Sequence, residues 1–423
     1  MVTPSMERPL TPLRRNRDFQ LYWSGQLVSV VGFRIGTVAR PLLVLAVTGS
    51  PALAGVASFA FTLPVILCML PAGAILDRAN RKSVMVACDL ARCLASAAVA
   101  LALWGGWLTF GLILVTSVIG GIAWPFFVVG ERASIRRLVP APQLPAAIAQ
   151  VSAREFTGLV AGQSLGGVLF GLGRALPFAV DAISDVVSVV TLLLVRTPFQ
   201  EARTAPRRHL LAEVREGLGW IWRHPFVRTT ALLTAGLDAV TNALYLAVIV
   251  AAQQRGASPA EVGVLLGFMG LAGVAGSLLA TRLATVLSLR AVALLTLGTW
   301  TVLTPVIAIA PTPLLIGLVY GVMFVFHPTW GAAIGATQMR AVPEALMGRV
   351  QSTALLVQLG AVPVAQLGAG FLLQAIGPAR TILLLAAVML LVLTAALLSR
   401  SLRRPPDEAL PATLRPAPPP PAG

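Results

Sequence analysis

Charge is scarce in this chain. Acidic and basic residues together make up 11% of its 423 residues, where a soluble globular chain typically carries ~25%. That excludes an ordinary water-soluble domain. Hydrophobic residues reach 57%, and apolar runs of about the ~20 residues needed to cross a bilayer recur along the whole length. Lysine is nearly absent, with Lys82 alone among 32 basic residues. The net charge of +16 would suggest nucleic acid in a soluble protein. Here the basic residues fall in particular loops instead of on one face, so no nucleic-acid partner is expected. The three cysteines, Cys68, Cys88 and Cys93, lie in helical runs without metal-ligand spacing, so neither a disulfide framework nor a metal site is expected. HExxH, GxSxG and Walker-type phosphate motifs are missing, as are paired acids on a water-facing loop. Their absence argues against an enzyme and against ATP-driven pumping, and no cofactor is expected.

The apolar runs divide into twelve expected spans: 19–47, 52–76, 83–104, 107–130, 146–170, 177–195, 226–251, 261–281, 291–310, 314–339, 350–376 and 381–399. The first run is too long for a signal-peptide core and reads as a retained helix. With both termini on the cytoplasmic side, the inner segments hold 24 of the 32 basic residues, and the outer loops hold Arg174, Arg255 and Arg380. This is the bias that the positive-inside rule demands, and moving the count by one helix destroys it. The expected organisation is a cytoplasmic segment 1–18, a six-helix bundle 19–195, a cytoplasmic loop 196–225, a second six-helix bundle 226–399 and a Pro-rich tail 400–423, expected to be disordered. The loop carries Arg203, Arg207, Arg208, Arg215 and Arg223, with Leu210, Leu211, Val214, Leu218 and Ile221 at helical spacing. It reads as a basic amphipathic helix lying on the inner membrane face.

Between the second and third runs lies Gly73-Ala74-Ile75-Leu76-Asp77-Arg78-Ala79-Asn80-Arg81-Lys82. Gly73 allows close helix approach, Asp77 can accept from a helix N-terminus or pair with an Arg, and Arg78, Arg81 and Lys82 hold the turn on the cytoplasmic side. The spacing G-x-x-x-D-R-x-x-R-K resembles the loop signature between the second and third helices of major facilitator superfamily transporters. The resemblance extends over roughly residues 15–400. Phe19, Trp23, Gly25-Gln26, Gly32, Pro41-Leu42 and Thr48-Gly49-Ser50 resemble a bacterial subgroup that includes macrolide-efflux proteins and the enterobactin exporter. So do Cys88-Asp89-Leu90-Ala91-Arg92, Glu131-Arg132-Ala133 and Arg223-His224-Pro225-Phe226. Many such proteins carry Asp after the glycine of the first span, where this chain has Phe33. A decayed second copy of the loop signature falls at Gly276, Ala280 and Arg282. The resemblance implies an all-α integral membrane protein of twelve transmembrane helices in two pseudo-symmetric six-helix bundles, with a binding site at their midplane.

Several residues are candidates for transport chemistry. The fifth span reads Gly158-Leu159-Val160-Ala161-Gly162-Gln163-Ser164-Leu165-Gly166-Gly167, similar to the G-x-x-x-G-P-x-x-G-G signature of superfamily antiporters with Gln163 replacing Pro. Its glycines suit either a functional bend or plain packing. On the first span, Gly25, Ser29, Gly32 and Gly36 share one side, and a close first-to-fifth contact through that face is expected. Arg34 lies on the opposite side and can bind an anionic group or salt-bridge to an acid. On the seventh span, Thr234, Asp238, Thr241, Asn242 and Tyr245 form a polar stripe. Asp238 is a candidate for proton coupling or an interhelical hydrogen bond. Arg154 and Glu155 diverge by ~100° and should each meet a different helix. Asp89 and Arg92 can pair along one face. With Glu131, Arg132 and the loop residues Gly73, Asp77, Arg78, Arg81 and Lys82 they read as a cytoplasmic gate, the Asp77 loop as its clamp and Arg132 alternatively as an interfacial anchor. His327, on the tenth span before Pro328, is either a packing residue or a proton site. Trp124 and Trp330 offer aromatic surface for a bulky ligand or for helix packing.

The function implied is secondary active transport by alternating access in the cell membrane. Its leading form is proton-coupled efflux of small amphipathic organic molecules of antibiotic, drug or siderophore type. The alternative is import of a metabolite or organic anion with Arg34 as carboxylate clamp, and a membrane enzyme or scaffold is a third. The expected partners are a small-molecule substrate, protons and lipid. Nothing demands more than a monomer.

Overall fold

A computed structural model describes residues 12–200, 210–343 and 346–403. Arg203, Arg207, Arg208 and the Pro-rich stretch after Arg404 lie outside the described residues. Six of the twelve expected helix starts carry the following side-chain caps. Asn16, Ser50, Asn80, Thr109, Ser288 and Thr312 each accept a hydrogen bond from the backbone N–H three residues on, satisfying one of the donors that a first turn leaves open. The elements run α1 (Arg17–Thr48), α2 (Pro51–Arg78), α3 (Arg81–Gly105), α4 (Phe110–Leu138), α5 (Leu144–Thr157), a π-helical turn (Gly158–Gly162), α6 (Gln163–Leu172) and α7 (Leu176–Leu194). They continue with α8 (Leu210–Arg223), α9 (Pro225–Gln254), α10 (Pro259–Val286), α11 (Leu289–Ile309), α12 (Pro313–Met323), α13 (His327–Ala341), α14 (Met347–Gly360), α15 (Val362–Leu398) and α16 (Arg400–Arg403). No strand occurs among the described residues.

Among the described residues, ten helical stretches are long and apolar enough to cross a membrane. The longest, Arg349–Leu398, turns at Gly377, whose φ of 77° favours glycine; Pro378 follows, and the two arms suit two spans. The α5–π–α6 segment supplies a further crossing, so the structure is consistent with twelve. Outward-facing Leu94, Leu172, Leu278 and Leu391 are 69–76% exposed, which water would not tolerate over so many helices but lipid does.

The chain forms two compact units. Of the described residues, one holds 12–200 and 256–267, the other 210–255 and those from 268 to 403. Inside the first, α1 packs on α7, α3 on α7, and α2 on α4. Gly120 and Gly121 of α4 lie against Phe61 of α2. Inside the second, α9 and α11 pack on α15. Gly276 of α10 lies against the Val325 backbone, and Gly321 of α12 against Phe268. Each unit thus brings its second and fourth crossings together through glycine.

Three expectations are corrected. The fourth span was expected to end at residue 130, but α4 continues to Leu138 with Ile135 and Leu138 buried, because hydropathy marks where lipid ends and not where the helix does. The tenth span was expected to be continuous, but it breaks between Met323 and His327; Pro328 lacks the N–H that would extend α12. The amphipathic helix exists as α8 but does not rest on lipid alone. Its Ile221 is fully buried with Val227 and Val350, and Gly217 meets Thr353 of α14, while Leu218 and Trp222 stay exposed.

Candidate functional site

In the loop after α2, Asp77 is exposed and pairs with Arg81 one helical turn on, at 3.3 Å. Arg81 also donates to the carbonyls of Leu76 and Phe199, both at 3.4 Å. Lys82 donates to Leu193 O at 3.1 Å and Val195 O at 2.8 Å, so its ammonium caps the carbonyl end of α7. Arg78 is exposed, and a Cβ added at Gly73 would meet nothing within 4 Å; the close approach expected at Gly73 is therefore not found.

Of the charges expected to share one gate layer, Asp89 and Arg92 fall in one network inside the first unit and Glu131 in another, while Arg132 joins neither. Arg92 lies between α3 and α7. It donates to Asp185 at 2.5 Å and Ser29 at 3.3 Å, and meets Asp89 at 3.5 Å. Asp89 also accepts from Ser188 at 2.5 Å, and the Arg92 guanidinium lies over the Phe33 and Phe127 rings at 5.4 and 5.9 Å. A guanidinium with carboxylates on one side and aromatic faces on the other is fully committed. The second network joins α4, α5 and α1: the buried Arg154 donates to Glu131 and to Glu155 at 3.2 Å, and Glu155 meets Arg34 at 3.7 Å. Arg154 and Glu155 thus each reach another helix and also touch one another. The division follows from burial, since Asp89 and Glu131 must each be neutralised by the nearest guanidinium.

The glycine face of α1 is a correction. Gly25 lies against Thr191, Gly32 against Ser184, and Gly36 against Asp181, so this face packs on α7 and not on the fifth span. The first-to-fifth contact is real but uses the other side of α1. Gly158 meets Val30, Gly162 meets the Val31 carbonyl and Arg34, and Gly166 meets the Ile35 backbone. Gly167 meets Pro259 and Gly263, also within the first unit. Gln163 is buried, with no hydrogen bond to its Oε1 among the described residues. The motif therefore supplies its own small residues and needs none from α1. A π-helical turn sits at its centre, a distortion frequent at functional sites.

That contact leaves open, on the Arg34 side, a cavity of about 640 Å³. Its apolar wall includes Phe33, Trp124, Phe127, Val151 and Phe156, and its charged residues are Arg34, Arg92, Glu131, Arg132, Arg136 and Glu155. Arg136 was missed from sequence, because it was assigned to a loop. Extending α4 puts it one turn beyond Arg132, on the same face. A volume of this size with an aromatic wall and a few convergent polar groups suits a small organic molecule.

In the second unit, Trp330 donates its Nε1 to Thr234 at 3.2 Å, Asn242 donates to the Asp238 carbonyl at 2.9 Å, and Gln366 of α15 donates to Asn242 at 3.4 Å. Thr241 Oγ1 is buried without a hydrogen bond among the described residues, and Tyr245 continues the stripe one turn on. The Thr234–Trp330 bond sets the register of α9 against α13. Seventh and tenth crossings run oppositely, so Asp238 and His327 each lie ~5 Å from that bond in the same direction. The Asp238 carboxylate has no hydrogen bond or ion pair among the described residues, and His327 Nδ1 is buried without one.

A family model described as transmembrane secretion effector matches residues 7–421. The chain belongs to this family of the major facilitator superfamily. It is a multi-pass membrane transporter and not an enzyme. It is 29% identical over 380 residues to the multidrug efflux pump Tap of Mycolicibacterium fortuitum, covering 85% of this chain and 90% of that protein. Over 273 residues it is 29% identical to the uncharacterized transporter y4rN of Sinorhizobium fredii, covering 63% and 66%. Among solved structures, a bacterial homologue of the iron transporter ferroportin in an inward-facing state superposes with TM-score 0.72 at 16% identity, covering 92% of this chain and 98% of that one. The nucleoside transporter NupG gives 0.74 at 12%, covering 90% and 98%. At these identities the structures support the fold alone.

Proposed function

We propose that the chain is a proton-coupled exporter of small amphipathic organic molecules, working by alternating access in the cell membrane with both termini cytoplasmic. The observation that carries this reading is the cavity of the first unit, whose aromatic wall and small charged set fit an amphipathic guest. The likeness to multidrug efflux pumps over most of both chains supports the outward direction. Asp238 is the coupling site in this reading. Its carboxylate lies within the bundle without a salt bridge among the described residues, which suits a group that gains and loses a proton, and His327 lies at the same level.

The test is uptake of a dye or antibiotic by inverted membrane vesicles, with and without an imposed proton gradient. Uptake should depend on the gradient and fall about ten-fold in Asp238→Asn, the loss of one transport-specific interaction worth ~1.4 kcal/mol. Gradient-dependent uptake that survives the substitution would remove Asp238 from the role and move it to Glu155, Asp185 or His327. Gradient-dependent accumulation by right-side-out vesicles instead would reverse the direction.

A further inference from the structure

We propose that the cavity of the first unit selects amphipathic organic anions. An apolar body would lie against Phe33, Trp124 and Phe156, and a carboxylate or sulfonate would sit on Arg34, Arg132 and Arg136. The export reading supplies the direction of movement, whereas binding stands independently of it.

The argument begins with which charges are already committed. Of the two carboxylates lining the cavity, Glu131 and Glu155 are both held by Arg154. A bulky cation seeking either would have to displace a guanidinium. Of the four arginines, Arg92 is held by Asp185, Asp89 and two aromatic faces. The other three are not so held. Arg132 and Arg136 have no hydrogen bond or ion pair among the described residues. Arg34 meets Glu155 only at 3.7 Å, and its Nε is buried without an acceptor. A desolvated guanidinium N–H without an acceptor is an unmet donor. It is best satisfied by an anion, to which Arg donates in pairs.

Position strengthens the charge argument. Arg132 and Arg136 are four apart on α4 and so project from one face. Arg34 adjoins Phe33 in sequence, so the positive group and part of the apolar wall come from one turn of α1. An uncharged amphipath would leave the three guanidinium groups unused, whereas an anion uses both parts of the site.

The experiment uses the full-length protein in phosphatidylcholine nanodiscs, read by energy transfer from tryptophan to pyrene, with empty discs as reference. Three probes share one ring system: pyrenebutyrate, pyrenebutanol and pyrenebutyl-trimethylammonium. The butyrate should bind about ten-fold more tightly than the alcohol, and the ammonium more weakly than either, as expected for one added charge-assisted interaction. Arg34→Gln should erase the preference for butyrate while leaving alcohol affinity unchanged. The double substitution of exposed Arg132→Gln and Arg136→Gln, which puts no buried contact at risk, should reduce the preference several-fold. Glu155→Gln should strengthen butyrate binding by freeing Arg34, an increase that a purely structural role would not produce.

Equal or tighter binding of the ammonium would overturn the proposal, as would a butyrate preference that survives loss of all three arginines. Phosphatidylglycerol discs separate a dissolved anion from a lipid headgroup. Retained butyrate binding supports the proposal, and abolished binding assigns the arginines to lipid and overturns it. Anion-selective binding alongside failed proton-driven uptake would refute the export reading alone. Gradient-driven uptake without anion preference would refute this inference alone.

Discussion

Two arginines in the first unit differ in what surrounds them, and the difference predicts their roles. Arg92 and its partners Asp89 and Asp185 are buried, and removing the guanidinium would leave two carboxylates without their cation in an apolar setting. Breaking a buried pair from one side costs ~3–5 kcal/mol. Arg34, with a side chain 30% exposed and a partner 43% exposed, belongs to the range where an ion pair contributes ~0–1 kcal/mol. Arg92→Gln should therefore lower the thermal unfolding midpoint of the detergent-solubilised protein sharply, and Arg34→Gln should scarcely move it. Fluorescence-detected size-exclusion after a heating series measures both, and equal destabilisation by the two would refute the distinction. The sequence identified both as intramembrane cations with acids in reach. Their difference was not legible there, because it depends on Asp185 and the rings of Phe33 and Phe127, which approach from separate helices.

At the scale of elements, the loop after α2 offers the clearest test. Lys82 and Arg81 fasten this turn to carbonyls at and beyond the end of α7, while exposed Asp77 engages Arg81 alone among the described residues. An exposed i, i+4 pair adds only ~0.3–0.5 kcal/mol, so Asp77→Asn should leave expression and thermal stability intact. If Asp77 serves a transport gate, the variant's uptake in inverted vesicles should nevertheless fall several-fold. Near-normal uptake would sink that role. The loop was legible because its spacing is local, as were the capped helix starts, where Asn, Ser or Thr precedes an apolar run. The glycine stripe of α1 was legible as a close-packing face, yet its partner was assigned to the wrong helix. Small side chains show that another helix approaches closely, but not which one. The break at Met323–His327 had only Pro328 as a signal, and proline is often carried within membrane helices, as Pro64, Pro71 and Pro125 are here.

At the scale of the whole molecule, the long apolar helices, the two compact units and the family match describe a transporter, and the charge on its cargo decides what can drive it. In a cell with a negative interior, one elementary charge moved across the membrane is worth ~2.3 kcal/mol per 100 mV. A proton moving in and an organic anion moving out both carry positive charge inward. A one-for-one exchange therefore draws on the membrane potential twice, whereas exchange for an uncharged molecule draws on it once. In inverted vesicles, a potassium–valinomycin clamp can remove the potential while the pH gradient is kept. Pyrenebutyrate uptake should then fall by a larger factor than pyrenebutanol uptake. Equal responses would mean that the anion's charge does not cross with it, because the acid is carried protonated or a second ion compensates. That result would refute one-for-one proton–anion exchange even if the arginines select the anion for binding.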